Sequence, residues 1–501
     1  MPGTFTQELD TPSFKGIVSL STGLFINGQF VDPIEGATID VVNPSNGSVI
    51  TSVAEGTSKD VDLAVQAAKN AYKTCWGLKV PGKTRGLILG KLANLIEANA
   101  DEFAALETLN VGKLYKYAQR DVASAVRTFQ YYAGWADKIH GKTIETDENK
   151  MSYTRHEPFG VCGQIIPWNF PFIMLAWKIA PALATGNTVV LKPSEVTPLT
   201  ALKFAGLLNE AGVPPGVVNI VVGYGPTVGQ AISEHPQIAK VAFTGSTLVG
   251  RKILEASSRT NLKVVTLELG GKSPNIIFDD ADLEQAVKWA AMGIFYNMGQ
   301  VCAAGSRIFV QEGIYPKFIE AFTQAAKGIS SNAGDPFDNK TQHGPQVSQT
   351  QFDRVMGYIE SGKKDGACVA AGGSKINSEG FFIEPTVFTD CDKEMKIVRE
   401  EIFGPVAVVI KFKDEDEVIE LANDTVYGLA CAVFTENGSR ALRVAHALEA
   451  GTAWVNCFGG GDVSVPFGGY KQSGIGRELG EYALSTYTQV KAVQVNLGVR
   501  L

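Results

Sequence analysis

The chain has 501 residues, 45% hydrophobic and 19% charged, which excludes a disordered polar polymer and, at roughly 100–200 residues per domain, implies more than one domain. Its 45 basic and 52 acidic residues give a formal charge of −7, so no global basic field draws it to nucleic acid or a membrane surface, and a small-molecule ligand is expected. The seven cysteines lie far apart without a C-x-x-C pair and the five histidines never fall at ligand spacing, which argues for a reducing compartment and against disulfides or a structural metal.

In chain order, Met1 to Phe30 carries Glu8 and Asp10 and has no continuous apolar run. It resembles neither a secretory signal nor a transit peptide, so a cytoplasmic location is expected. Gly77–Thr84 matches the P-loop pattern G-x-x-x-x-G-K-T, but a phosphate cradle follows a buried strand, and Val61, Ala67 and Ala71 upstream have helical spacing. No nucleoside-triphosphate site is expected there. His140–His156 reads as a polar hairpin. Pro158–Trp177 is uncharged for 20 residues, yet its prolines and glycines fit strand, loop and helix start better than a membrane span.

From residue 160, apolar runs alternate with helical patterns: Val161–Ile166 then Phe172–Leu183, Thr188–Leu191 then Leu199–Leu208, Val217–Val222 then Thr227–Ile232. Val241–Phe243 and Val264–Leu267 follow, separated by an amphipathic Leu248–Ala256. This alternation predicts an α/β fold with a parallel, Rossmann-like sheet whose ligand lies beyond the carboxyl ends of the strands. Those ends carry Ile166 to Asn169, Lys192 to Glu195, Gly223 to Gly229 and Gly245 to Gly250. Helix starts there suit a pyrophosphate, and Gly225 and Gly245 would let the backbone approach it. A second α/β alternation runs from Asn275 to about Tyr470, with a helix at Leu283–Phe295 and a strand at Arg307–Val310. Thr486–Leu497 reads as a terminal edge strand, for which another subunit is the expected partner.

Three stretches concentrate chemistry: Pro167-Trp-Asn169-Phe-Pro, Leu267-Glu268-Leu-Gly-Gly271-Lys272, and Gly299-Gln300-Val301-Cys302. On its own, a lone cysteine in the apolar stretch Trp289–Ser306 is an inert core residue, Asn169 a helix cap and Glu268 a solvated strand-end acid. With Glu401-Ile-Phe403-Gly-Pro405 and Pro466-Phe467-Gly-Gly-Tyr470, however, the three stretches resemble, in order and over nearly the whole chain, the motifs of the aldehyde dehydrogenase superfamily. Within it the chain is most similar to the NAD-dependent tetrameric enzymes of cytosolic and mitochondrial type.

The resemblance implies the aldehyde dehydrogenase fold: an NAD-binding domain from 1–139 and 159–270, a catalytic domain from 271–470, and small β oligomerisation segments at 140–158 and 486–501. It also implies oxidation of aldehydes to acids through a thioester on Cys302. Asn169 and the Cys302 backbone N–H would bind the oxyanion, and Glu268 would act as general base beside Gly270 and Gly271, whose small size leaves room for substrate and water. Lys178 and Glu478 match a lysine and glutamate near that base, a proton path in the family; from the residues alone they could equally be surface charges.

For NAD, Lys192 and Glu195 match the adenosine-ribose contacts, Trp168 and Ser246 the pyrophosphate contacts, Glu401 and Phe403 the nicotinamide-ribose site, and Gln351 a further ribose contact. Ile166, Gly225 and Gly245 complete that set. Glu195 favours NAD over NADP, whose 2′-phosphate it would repel. Phe170, Met174, Trp177, Tyr296 and Phe467 match the wall of the substrate tunnel. Gly459, Gly460 and Gly461 remove side chains where relatives carry bulky or acidic ones, so a medium-sized aliphatic or aromatic aldehyde is expected, or an aminoaldehyde if Asp462 attracts the amine. Partners are a small aldehyde and copies of the same chain in a homo-oligomer, as a tetramer in the family, with neither nucleic acid nor membrane. Two other readings of the same residues are a catalytically silent scaffold of this fold and a thiol esterase.

Overall fold

The computed structural model describes residues 2–376 and 379–501. Two large sheets organise it. The eight-stranded sheet runs, edge to edge, Gly474–Ile475, Val264–Glu268, Lys240–Thr244, Val161–Ile165, Thr188–Lys192, Val218–Ile220, Leu24–Ile26 and Gln29–Val31. Its five central strands are parallel and its outer pairings antiparallel. Val161–Ile165, Thr188–Lys192 and Lys240–Thr244 are buried at every position, because helices cover both faces, and this is why they read as unbroken runs rather than alternations.

The predicted helices form at Pro171–Ala184, Leu199–Ala211 and Thr247–Arg259, the last capped by Ser246, whose Oγ accepts from the Val249 N–H. From the Val161–Ile165 strand the chain steps outward twice, then returns to lay Lys240–Thr244 on the opposite side. That reversal opens a crevice at the strands' carboxyl ends. The P-loop match is helical on both sides: Ser58–Thr74 precedes it and Gly82–Ala98 begins within it.

The seven-stranded sheet runs Cys368–Ala371, Thr386–Thr389, Val406–Phe412, Arg307–Gln311, Pro274–Ile277, Ala430–Phe434 and Thr452–Val455. All its pairings are parallel except the first. The chain then returns to the first sheet, where Gly474 pairs with Glu268. Among the described residues no helix is long and apolar enough to cross a membrane.

The terminal strand corrects an expectation. Thr488–Asn496 pairs along its whole length with Lys150–Pro158 of the same chain, and Thr143–Asp147 completes the three-stranded sheet. The edge anticipated for a neighbouring subunit is thus covered internally on one side, because the polar hairpin at 143–158 supplies a nine-residue match in register.

Candidate active site

The helix Leu283–Phe295 ends at Tyr296, and the chain then takes an unusual path: Asn297 and Met298 are left-handed, with φ 47° and 55°, and Gly299 follows at 72°. Left-handed non-glycine residues cost about 1–3 kcal/mol each and persist only where neighbours hold them. Here the Gln346 Nε2 donates to the Met298 carbonyl at 3.2 Å and the Val347 N–H to the Gln300 Oε1 at 2.9 Å. A Cβ on Gly299 would overlap the Gly404 carbonyl. The loop so held presents Cys302, half-buried, to a cavity of about 160 Å³ that Asn169, Phe170, Met174, Gly270, Glu401 and Phe403 also line. Cys302 is therefore not sealed within the core.

Asn169 is buried, and its Nδ2 donates to the Gln300 carbonyl at 2.8 Å. It does not cap the following helix, which starts with Phe170 at its N-cap and no side-chain cap. One amide hydrogen is thus used to hold the cysteine loop, and the second remains available to an oxygen in the cavity.

Glu268 ends its strand buried, with Oε2 lacking any hydrogen-bond partner. Burial, then the like charge of Glu478, hold its carboxyl well above the usual range, against the pull of Lys178 and Arg477. Gly270 lines the Cys302 cavity, while the space a side chain would take on Gly270 or Gly271 is already filled by protein atoms. A Cβ on Gly270 would strike the Glu401 carboxylate and one on Gly271 the Cys302 carbonyl, so both glycines allow close backbone and side-chain approach. The Gly271 N–H donates to Glu401 at 2.9 Å, and burial lifts Glu401 to about 7.

Lys178 and Glu478 are buried rather than surface charges. They form an ion pair, and the Lys178 Nζ also donates to the Thr244 Oγ1 at 2.7 Å. Glu478 keeps one oxygen unpartnered.

A cleft of about 580 Å³ opens at the sheet reversal, lined by Ile166, Trp168, Lys192, Glu195, Gly225, Gly245 and Ser246. Lys192 is buried and pairs with Glu195 at 3.0 Å, while Glu195 is part-exposed. Gly225 has open space where a Cβ would stand, as a close ligand would require, but Gly245 instead accommodates the Phe243 ring. Trp168 meets the Phe403 ring edge-on at 5.2 Å, and Gln351 holds the Phe403 carbonyl at 2.6 Å. Trp168, Gly245 and Ser246 border both this cleft and the Cys302 cavity, so a bound dinucleotide would reach the thiol. The part-exposed carboxylate, the open Gly225 turn and the thirteen-residue helix starting after Ser246 fit such a ligand.

Of the aromatic set, Phe170 and Met174 line the cavity directly. Tyr296 stacks on Phe170 at 6.1 Å, Trp177 meets Phe467 at 5.5 Å, and Phe467 packs with Cys302 on one apolar cluster. Gly459, Gly460 and Gly461 face open space. The Asp462 Oδ1 is taken up by the N–H and hydroxyl of Ser464, which hold its carboxyl below the usual range.

Residues 30–493 match the model of the aldehyde dehydrogenase family. The chain belongs to that family. An aldehyde dehydrogenase of Agaricus bisporus is 61% identical, each chain being covered in full. Retinaldehyde dehydrogenase 3 of Rattus norvegicus is 54% identical, over 95% of this chain and 93% of that one. The NAD+ complex of an aldehyde dehydrogenase from Bacillus cereus superimposes with a TM-score of 0.94 at 50% identity, over 95% of this chain and 97% of the other.

Against the family's motifs, several participants had no signal of their own in the sequence. Arg354 lines the Cys302 cavity and donates to the Glu401 carbonyl at 2.9 Å; it stands one helical turn after Gln351, the spacing that would have found it. Thr244 and Arg477 act on Lys178 and Glu268 only through folding.

Proposed function

We propose that this aldehyde dehydrogenase oxidises aldehydes to carboxylic acids with NAD. The observation that carries the reading is one cavity, sharing Trp168, Gly245 and Ser246 with the dinucleotide cleft, that Cys302 and Asn169 both line and where Cys302 lies near enough to Glu268 to feel its charge. The Cys302 sulfur attacks the carbonyl carbon as its proton passes to Glu268, and the oxygen, now negative, is met by Asn169 Nδ2 and the Cys302 N–H. NAD supplies the two-electron acceptor that turns this adduct into a thioester. Glu268, relieved of that first proton, then takes one from water, the water oxygen attacks the thioester carbon, and the C–S bond breaks, the proton passing from Glu268 to the sulfur as the acid and the thiol are released. The buried Lys178–Glu478 pair beside Glu268 carries the excess proton away.

Glu195 supports NAD over NADP, since its carboxylate would repel a 2′-phosphate while two of the three Lys192 donors are tied to Glu195 and the Pro193 carbonyl. The open triglycine mouth favours medium-sized aliphatic or aromatic aldehydes over acetaldehyde. An aminoaldehyde is the second reading, because Ser464 takes only the Oδ1 of Asp462 and leaves its other oxygen for an amine. Residues 1–139 and 159–270 then form the NAD-binding domain and 271–470 the catalytic domain, while 140–158 and 486–501 serve a homotetramer. The free state of all seven cysteines fits a cytoplasmic setting. The test is absorbance of reduced nicotinamide over an aldehyde series of increasing length. Turnover that rises with length supports the reading, and silence from folded protein across the series overturns it.

A further inference from the structure

Behind the aromatic wall lie three charged side chains that the reaction does not use. Lys113 is 0% exposed, Glu107 1% and Asp121 3%. Lys113 pairs with Asp121 and stands 3.5 Å from Glu107. Burying three charges is expensive, and well-packed apolar residues of similar volume are often no less stable, so such a cluster calls for a geometric role.

Each member reaches a different part of the tunnel. The Lys113 Nζ sits 4.2 Å from the centre of the Phe170 ring, a cation–π contact strengthened by its exclusion from water. The Asp121 carboxylate lies near enough to the Tyr296 hydroxyl for each to act on the other's charge. The Glu107 Oε1 accepts from the Phe172 N–H at 2.9 Å and from Thr200 at 3.2 Å. It thereby supplies the cap that the helix carrying Met174, Trp177 and Lys178 lacks locally. Phe170 and Tyr296, stacked at 6.1 Å with planes 22° apart, follow Asn169 and open the Cys302 loop respectively.

We propose that Lys113, Asp121 and Glu107 are positioning residues that lock Phe170 and Tyr296 into a rigid slot and so set the chain-length specificity of the enzyme; this deepens the proposed function and rests on it. A two-carbon aldehyde ends before the slot, whereas a longer alkyl or aryl body lies against the Phe170 ring, which Tyr296 backs. Freeing either ring therefore penalises the longer substrate selectively, in KM more than in kcat, since the reacting atoms are untouched.

The experiment measures kcat/KM for hexanal relative to acetaldehyde. Lys113→Met and Tyr296→Phe are expected to lower that ratio about tenfold. Asp121→Asn, which keeps an oxygen for the Tyr296 hydroxyl, retains more of it than Asp121→Ala. Equal losses on both aldehydes, or an unchanged ratio, overturn the proposal. Should Lys113→Met not fold, Tyr296→Phe decides alone, because it leaves every buried charge in place. Binding of hexanamide against acetamide, followed by tryptophan fluorescence, reads the same slot without turnover. A wild-type protein that reduces no NAD but shows the amide ratio and its loss in the variants would overturn the function and keep the cluster.

Discussion

Burial, reinforced by Glu401 and Glu268, pushes the Cys302 thiol up to about 12, although the N–H groups of Ala303 and Cys302 oppose the shift. At neutral pH the sulfur thus keeps its proton until a base removes it. The base at hand is Glu268, itself raised, so its ionised fraction grows as pH climbs through its elevated value. Alkylation of Cys302 by iodoacetamide and steady-state turnover should both rise with pH across the neutral range. Glu268→Gln should slow turnover by about 10²–10⁴-fold and flatten that rise, a loss typical of a missing general base. A flat wild-type profile would remove Glu268 from the role. At the other end of the cleft, Glu195→Gln removes a carboxylate that faces the adenosine ribose site and should raise NADP use relative to NAD by about tenfold, measured as the ratio of kcat/KM values.

At the scale of elements, the loop from Asn297 to Cys302 is the most constrained piece of backbone in the site. Gly299→Ala would meet both the left-handed φ of 72° and the Gly404 carbonyl. It should cost about 1–3 kcal/mol in urea unfolding and suppress Cys302 alkylation; full alkylation in the variant would show that the loop can relax without moving the sulfur. The strands and helices around both large sheets were legible where their apolar runs and helical spacings are local: Val161–Ile165 forms within its anticipated run, and Leu283–Phe295, beside the seven-stranded sheet, at its anticipated residues. The cysteine, asparagine and glutamate were legible only through their family motifs, since each letter alone has a commoner structural use. What stayed hidden depends on partners distant in sequence. Nothing near Lys178 announces Glu478, 300 residues away, nor does anything beside Gly270 announce the Glu401 carboxylate that fills its missing Cβ.

Over the whole molecule, the three-stranded sheet of residues 143–158 and 488–496 is self-paired yet leaves apolar side chains exposed. Met151 and Val495 face each other across it, each more than a third exposed, and Val490, on the opposite face, is 63% exposed. The proposed homo-oligomer would cover that pair with another copy. Sedimentation should give a mass above one chain, and Met151→Asp with Val495→Asp should lower it while leaving the far-ultraviolet circular dichroism unchanged. A wild-type mass of a single chain at micromolar concentration would contradict the assembly.

The Gly474–Ile475 strand carries a consequence in time. It is the last strand of the eight-stranded sheet to be made, after every strand of the seven-stranded one, and it borders Glu268. During synthesis a ribosome has released nearly every catalytic side chain, Cys302 and Asn169 among them, before the base acquires its outer neighbour or Lys178 its buried carboxylate. Long-range closures of this kind come late and slowly. The nascent enzyme therefore holds its thiol without a finished base beside it, and reactivity arrives only with the last stretch of polypeptide.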